Sequence, residues 1–256
     1  MAQLKVYVYR GEGVNTFSFR ETMASLIEVL GKRYSVDPID ATRLRQGEWS
    51  ADTVLLVLPG GRDVPYDTAL RGEGNAQIRA YVEKGGSFLG ICAGAYYGAR
   101  EVCFDLGGPL EVVGSRELGF FPGTAVGPLY DPSAFSYESE AGSRAAWVTV
   151  GDKQFRVYYN GGCAFQSPEQ YADNVSVIGQ YLDATEERLA ALVTCQVGQG
   201  LALLSGVHIE YRLRSLERLH LPVMTRPLLG TSEQMRQEVF RELTTYLVGR
   251  ATVSRS

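Results

Sequence analysis

Along the first hundred residues, short apolar runs alternate with stretches whose apolar positions recur at helical spacing. Leu4 to Tyr9 alternates in the manner of a strand. After the loop Gly11-Glu12-Gly13, the residues Phe17, Met23, Ile27 and Leu30 share a helical face, and Gly31 supplies a stop. Tyr34 to Asp37 predicts a second strand. Val54-Leu55-Leu56-Val57-Leu58 is apolar throughout, as in a parallel strand covered on both faces, and Pro59-Gly60-Gly61 breaks it. Asn75 to Lys84 predicts a helix that ends at Gly85-Gly86, and Ser87 to Ile91 the next strand. This alternation predicts an α/β fold with a doubly wound, mostly parallel sheet.

The pattern changes at Cys103. From there to Gln166 glycine, proline and aromatic residues are frequent, and the alternating stretches are short. Trp147 to Val150 and Phe155 to Tyr159 flank Gly151-Asp152-Lys153, which predicts a hairpin. We read 103–166 as an antiparallel β-rich insertion within a single domain covering 1–256. Three further strands are predicted at Val175 to Tyr181, Ala190 to Val197 and Leu201 to Ser205, the last two joined through Gly198-Gln199-Gly200. Arg212 to Arg226 reads as a surface loop or short helix. Thr231 to Leu247 predicts a closing helix in which Met235, Val239, Leu243 and Leu247 share a face and Ser232 is the candidate cap.

Composition narrows the function classes. The 256 residues suffice to bury a full core, and the 45% hydrophobic and 21% charged fractions are those of a soluble globule. A formal net charge of -4 leaves no basic face for nucleic acid or an anionic membrane surface. No apolar run approaches the ~20 residues of a membrane helix, and the N-terminus has no signal-peptide core, so a cytoplasmic location is expected. Cys92, Cys103, Cys163 and Cys195 lack metal-ligand spacing, and no metal or cofactor is implied.

The run Gly90-Ile91-Cys92-Ala93-Gly94 places a cysteine between two glycines, after a strand and before a helix-compatible segment. This is the nucleophile-elbow pattern with sulfur as the nucleophile. A sharp strand-to-helix turn crowds its neighbours, and Gly90 and Gly94 relieve that crowding. The helix start directs free N–H groups and a positive dipole end at the sulfur. A thiolate nucleophile needs a base. Of the two histidines, His208 follows a strongly apolar strand, whereas His220 lies in what reads as a loop flank. Glu210 would lie on the same side as His208 in an extended segment and could orient the imidazole. The N–H of Ala93, with that of Gly60 or Gly61, would serve as oxyanion donors. Tyr159-Asn160-Gly161-Gly162 is most simply a turn, and would contact ligand if it faces Cys92. The plain alternatives are a buried structural cysteine, a strand-end histidine and a solvated glutamate.

The elbow, the Pro59-Gly60-Gly61 turn and His208-Ile209-Glu210 resemble the class I glutamine amidotransferase superfamily, which implies a flavodoxin-like fold and a Cys-His-Glu triad. The longer runs Pro59-Gly60-Gly61-Arg62-Asp63-Val64-Pro65-Tyr66, Gly90 to Tyr97 and Tyr159 to Gly162 resemble the amidotransferase-like N-terminal domain of eukaryotic-type biotin–protein ligases, of which stand-alone bacterial versions exist. Two departures bear on function. Where glutamine amidotransferases carry Gln two residues past the elbow, this chain has Tyr96, which speaks against glutamine as substrate. The biotinyl-adenylate loop and lysine motif of the ligase catalytic domain have no counterpart here.

The sequence therefore predicts attack by Cys92 on a small amide or ester carbonyl, with His208 as base and acid and Glu210 as orienter. Tyr96, Tyr97, Asn160 and Gly161 are the candidate substrate contacts. A small-molecule substrate or ligand is expected, and a separate ligase or synthetase is a candidate partner that the sequence leaves open. Two other readings are a non-catalytic metabolite-binding module, in which Tyr96 or Tyr97 fills the pocket, and a redox-sensing cysteine.

Overall fold

The computed structural model describes residues 3–253; Met1 and Ala2, at the start of the N-terminal segment read above, lie outside them. The strands are β1 Lys5–Tyr9, β2 Ser35–Ile39, β3 Thr53–Leu58, β4 Ser87–Ile91, β5 Ala99–Phe104, β6 Val112–Ser115, β7 Phe121–Gly127, β8 Arg144–Val150, β9 Lys153–Tyr159, β10 Ala164–Phe165, β11 Val175–Tyr181, β12 Ala190–Val197 and β13 Gly200–Ser205. The helices are α1 Thr16–Leu30, α2 Ala41–Gln46, α3 Asp63–Leu70, α4 Glu73–Glu83, α5 Ala93–Gly98, α6 Thr225–Gly230 and α7 Glu233–Val253.

One sheet runs through the molecule in the order β2-β1-β3-β4-β13-β12-β10-β7-β5-β6, with β11, β8 and β9 branching from β12. Its first five strands are parallel, in the order of a flavodoxin-like doubly wound sheet. Beyond β13 most pairings are antiparallel. Strand alternation sorts the core. Val6 and Val8 face the layer made by α1 and α7, while Tyr7 and Tyr9 face the layer of α2 to α5. β3 is buried along its whole length, as its unbroken apolar run requires. The strands added between α5 and β13 span 99–197, so the antiparallel section is longer than the expected 103–166.

Local chemistry explains the boundaries. Asn15 caps α1, its Oδ1 accepting from the N–H groups of Phe17 and Ser18. The segment after Arg212 forms a 3-10 turn at Leu213–Arg218. α7 keeps its predicted face, with Val239 and Leu247 buried and Met235 and Leu243 packed against them. Ser232 does not cap it through its side chain. Its hydroxyl accepts from the Arg156 N–H of β9 instead, tying the helix start to the sheet.

This packing makes a paired prediction. Leu247 is fully buried and Tyr246 half exposed. Leu247→Ala should cost about 2–5 kcal/mol in urea unfolding through lost burial and the cavity left behind. Tyr246→Ala should stay within about 0.5 kcal/mol. Equal effects would contradict the placement of α7.

Candidate active site

β4 sits between β3 and β13, and its carboxyl end delivers Cys92 to the edge of the sheet. The Cys92 N–H continues the ladder by donating to the Ser205 carbonyl at 2.8 Å. The chain then turns into α5, with Cys92 at φ 52° and ψ -108°. A non-glycine residue held there stores about 1–3 kcal/mol of strain. Both flanking glycines are needed for space: a Cβ on Gly90 would lie 2.4 Å from the Gly94 carbonyl oxygen, and one on Gly94 2.0 Å from that of Leu58.

His208 arrives from the end of β13 and pairs with Tyr158 of β9 through a backbone bridge, its N–H donating to the Tyr158 carbonyl at 3.0 Å. Nδ1 lies 2.9 Å from Glu210 Oε1. The expected extended segment is instead a turn, with the Tyr211 N–H donating to the His208 carbonyl, and the turn brings the two side chains together. Glu210 is fully buried, and its Oε2 has no partner among the described residues. A carboxylate only accepts, so Nδ1 carries the proton and Nε2 is left for the cavity. Tyr211 stacks on the ring at 4.1 Å and Tyr158 meets it edge-on. Burial pushes the imidazole pKa down, but the Glu210 carboxylate and then the Cys92 sulfur outweigh it, and the pKa rises to about 10. The Cys92 sulfur also lies 3.9 Å from the Asn160 carbonyl oxygen.

A cavity of about 420 Å³ opens over these groups. Cys92, Ala93, His208, Gly60, Gly61, Tyr96, Asn160 and Gly161 all line it. Two expected contacts do not act as expected. Tyr97 is fully buried away from the cavity and donates to Asn75 Oδ1 at 2.6 Å. The Gly60 N–H is already engaged, donating to Ser18 Oγ at 2.9 Å. Gly60 serves through its missing side chain, since a Cβ there would stand 2.6 Å from the imidazole Cε1. Gly61 and Ala93 keep backbone N–H groups with no partner among the described residues. Tyr96 does not fill the cavity. Its hydroxyl donates to the Gly161 carbonyl and its ring meets Phe104 edge-on. His220 is exposed and outside the cavity.

Several residues that line or support the site were not among the candidate contacts read from the sequence. Ser18 holds the Gly60 turn. Asp63 Oδ2 accepts from both Nε and Nη2 of buried Arg116, at 2.9 and 2.6 Å. Burial raises the Asp63 pKa and Arg116 opposes that rise. The loop between β7 and β8 contributes Phe135, Tyr137 and Glu140 to the wall. Glu140 could not be found from its sequence neighbours, because its partners Tyr158 and Asn160 come from the end of β9 and the turn after it. Among the described residues no cluster of His, Cys, Asp or Glu suits a metal ion, and no helix is long and apolar enough to cross a membrane.

The raised imidazole pKa sets a pH signature. A group whose pKa is higher folded than unfolded stabilises fully below the unfolded value, near 6.5, and loses that contribution as pH rises toward about 10. The stability gap between wild type and His208→Gln in urea unfolding should therefore shrink steadily between pH 6.5 and 10. A gap that widens over that range would contradict the assignment.

Comparison with known proteins agrees with this architecture. The family model described as biotin-protein ligase, N terminal, matches residues 4–250. The biotin–protein ligase of Schizosaccharomyces pombe is 37% identical over 214 residues, covering 81% of this chain and 33% of the ligase. An uncharacterized protein of Chlamydia muridarum is 41% identical over 216 residues, 82% of each chain. A thua-like protein from Bacteroides uniformis shares the fold, with a TM-score of 0.53 at 11% identity over 92% of this chain and 91% of its own. The chain spans about a third of the length of the Schizosaccharomyces pombe ligase. With the family model matched almost end to end, the chain belongs to the biotin–protein ligase N-terminal family.

Proposed function

We propose that this protein carries out acyl transfer or hydrolysis on a small amide or ester through a covalent thioester at Cys92. The observation that carries the reading is a strained cysteine facing a His208–Glu210 pair across one open cavity. The sulfur, as thiolate, attacks the carbonyl carbon and forms the C–S bond. The oxyanion is held by the N–H groups of Ala93 and Gly61, the two donors left free. Collapse breaks the C–N or C–O bond, and the proton on His208 Nε2 passes to the leaving amine or alcohol. Water, or another acceptor, then attacks the thioester carbonyl and loses its proton to the same nitrogen; the new bond to the carbonyl carbon forms, the C–S bond breaks, and the sulfur leaves as thiolate. Glu210 keeps the imidazole in the required tautomer and stabilises its charged form.

The open cavity supports catalysis over a purely binding module, because neither Tyr96 nor Tyr97 fills it. Tyr96 at the position of the amidotransferase Gln supports a substrate other than glutamine. Biotin transfer is not part of this proposal, and a separate ligase or synthetase is the partner class it leaves room for.

Two experiments test the reading. A panel of small amides and esters, glutamine included, should contain at least one that releases ammonia or alcohol and adds an acyl mass to Cys92, with Cys92→Ala inactive. Turnover retained in Cys92→Ala would sink the proposal. On the best substrate, Glu210→Gln should lower kcat by roughly 10²-fold or more, by analogy with loss of an orienting carboxylate. An unchanged kcat would remove Glu210 from the mechanism.

A further inference from the structure

The β7–β8 loop adds a carboxylate to the wall of the cavity. Glu140 projects into it, and its Oε2 takes hydrogen bonds from the Tyr158 hydroxyl and from Asn160 Nδ2 at 3.0 Å. Its Oε1 has no partner among the described residues. Its backbone is fixed as well, because the Ser143 N–H and hydroxyl both donate to the Glu140 carbonyl, at 2.9 and 2.7 Å. Burial and the nearby Glu140 charge hold the Tyr158 pKa well above its ordinary value, so Tyr158 stays a donor and Glu140 an acceptor.

The other charges around the cavity are committed. Arg62 stacks over Tyr137 at 4.2 Å and pairs with Glu138 at 3.0 Å. Asp63 is bound by Arg116. The imidazole is held by Glu210. Only Glu140 on the wall and exposed Glu12 at the mouth lack a cationic partner among the described residues. Phe135, Tyr158 and Tyr211 complete the lining.

We propose that this cavity selects carbonyl substrates that carry a protonated amine, with Glu140 as the residue that determines specificity. The inference rests on the acyl-transfer reading for its chemistry, but the charge preference is a property of the cavity and can be measured without turnover.

Three p-nitrophenyl esters of matched length isolate the charge: those of 6-aminohexanoic acid, heptanoic acid and heptanedioic acid as its monoester. Wild type should favour the amino ester over the heptanoyl ester by about tenfold or more in kcat/KM and disfavour the carboxylate ester, as expected for a charge-assisted hydrogen bond. In Glu140→Gln the amino preference should fall toward unity. In Glu140→Lys it should reverse in favour of the carboxylate ester, a gain that a folding defect does not produce. Equal rates on amino and heptanoyl esters in wild type, or the same preference in all three proteins, would overturn the proposal. Calorimetric titration with 6-aminohexanamide and heptanamide separates the two levels. No acylation by any ester, with tighter binding of the amino amide that is lost in Glu140→Gln, retires the acyl-transfer reading and keeps the charge preference. Equal binding of both amides retires the charge preference.

Discussion

The backbone of Cys92 is the constraint on which the site depends. A φ of 52° at the end of a buried parallel strand is tolerated only because several neighbours enforce it. Ser205 holds the N–H from the next strand, and the carbonyl of Cys92 accepts the N–H groups of Ala95 and Tyr96 as α5 begins. Gly90 and Gly94 let the turn sit against β3 without collision. The strain points the sulfur out of the sheet into the cavity. The same turn leaves the Ala93 N–H unpaired beside it, since the first N–H groups of a helix have no intrahelical acceptor.

The remaining parts are assembled around that fixed point. β13 lies next to β4, so a turn at its end brings His208 over Cys92. The β8–β9 hairpin supplies the bridge from Tyr158 that anchors the histidine backbone, and Tyr211 stacks on its ring. Burial alone would discharge the imidazole. Glu210, wholly inside the protein, reverses the outcome, and its price is an Oε2 with no partner among the described residues. Such a buried acceptor persists where its charge has a use. The antiparallel section therefore does more than extend the sheet: it roofs the Cys92 turn that the parallel half alone would leave open.

Much of this was legible in the sequence where one physical signal dominated. β3 and β4 follow from unbroken apolar runs, α1 from helical spacing, and the two hairpins from glycine turns between alternating strands. The elbow was legible because two glycines flank one cysteine. Other features depend on contacts that sequence neighbours do not encode. α3 opens with Asp-Val-Pro-Tyr and has a weak apolar stripe, so it gave little periodic signal. Strand alternation suggested the closeness of His208 and Glu210, but a turn produces it. Ser232 has the composition of a cap, yet tertiary contact with Arg156 claims its hydroxyl. Gly60 looked like a donor and is instead a gap for the imidazole, a distinction set by Ser18, 42 positions earlier.

The central claim is that His208 activates the Cys92 sulfur. The rate at which a thiol-directed acyl electrophile labels Cys92 at neutral pH, read by intact mass in wild type and His208→Ala, tests it most directly. The account predicts labelling at least about tenfold faster in wild type, because the imidazolium stabilises the reactive thiolate. Equal, slow labelling in the two proteins would contradict it.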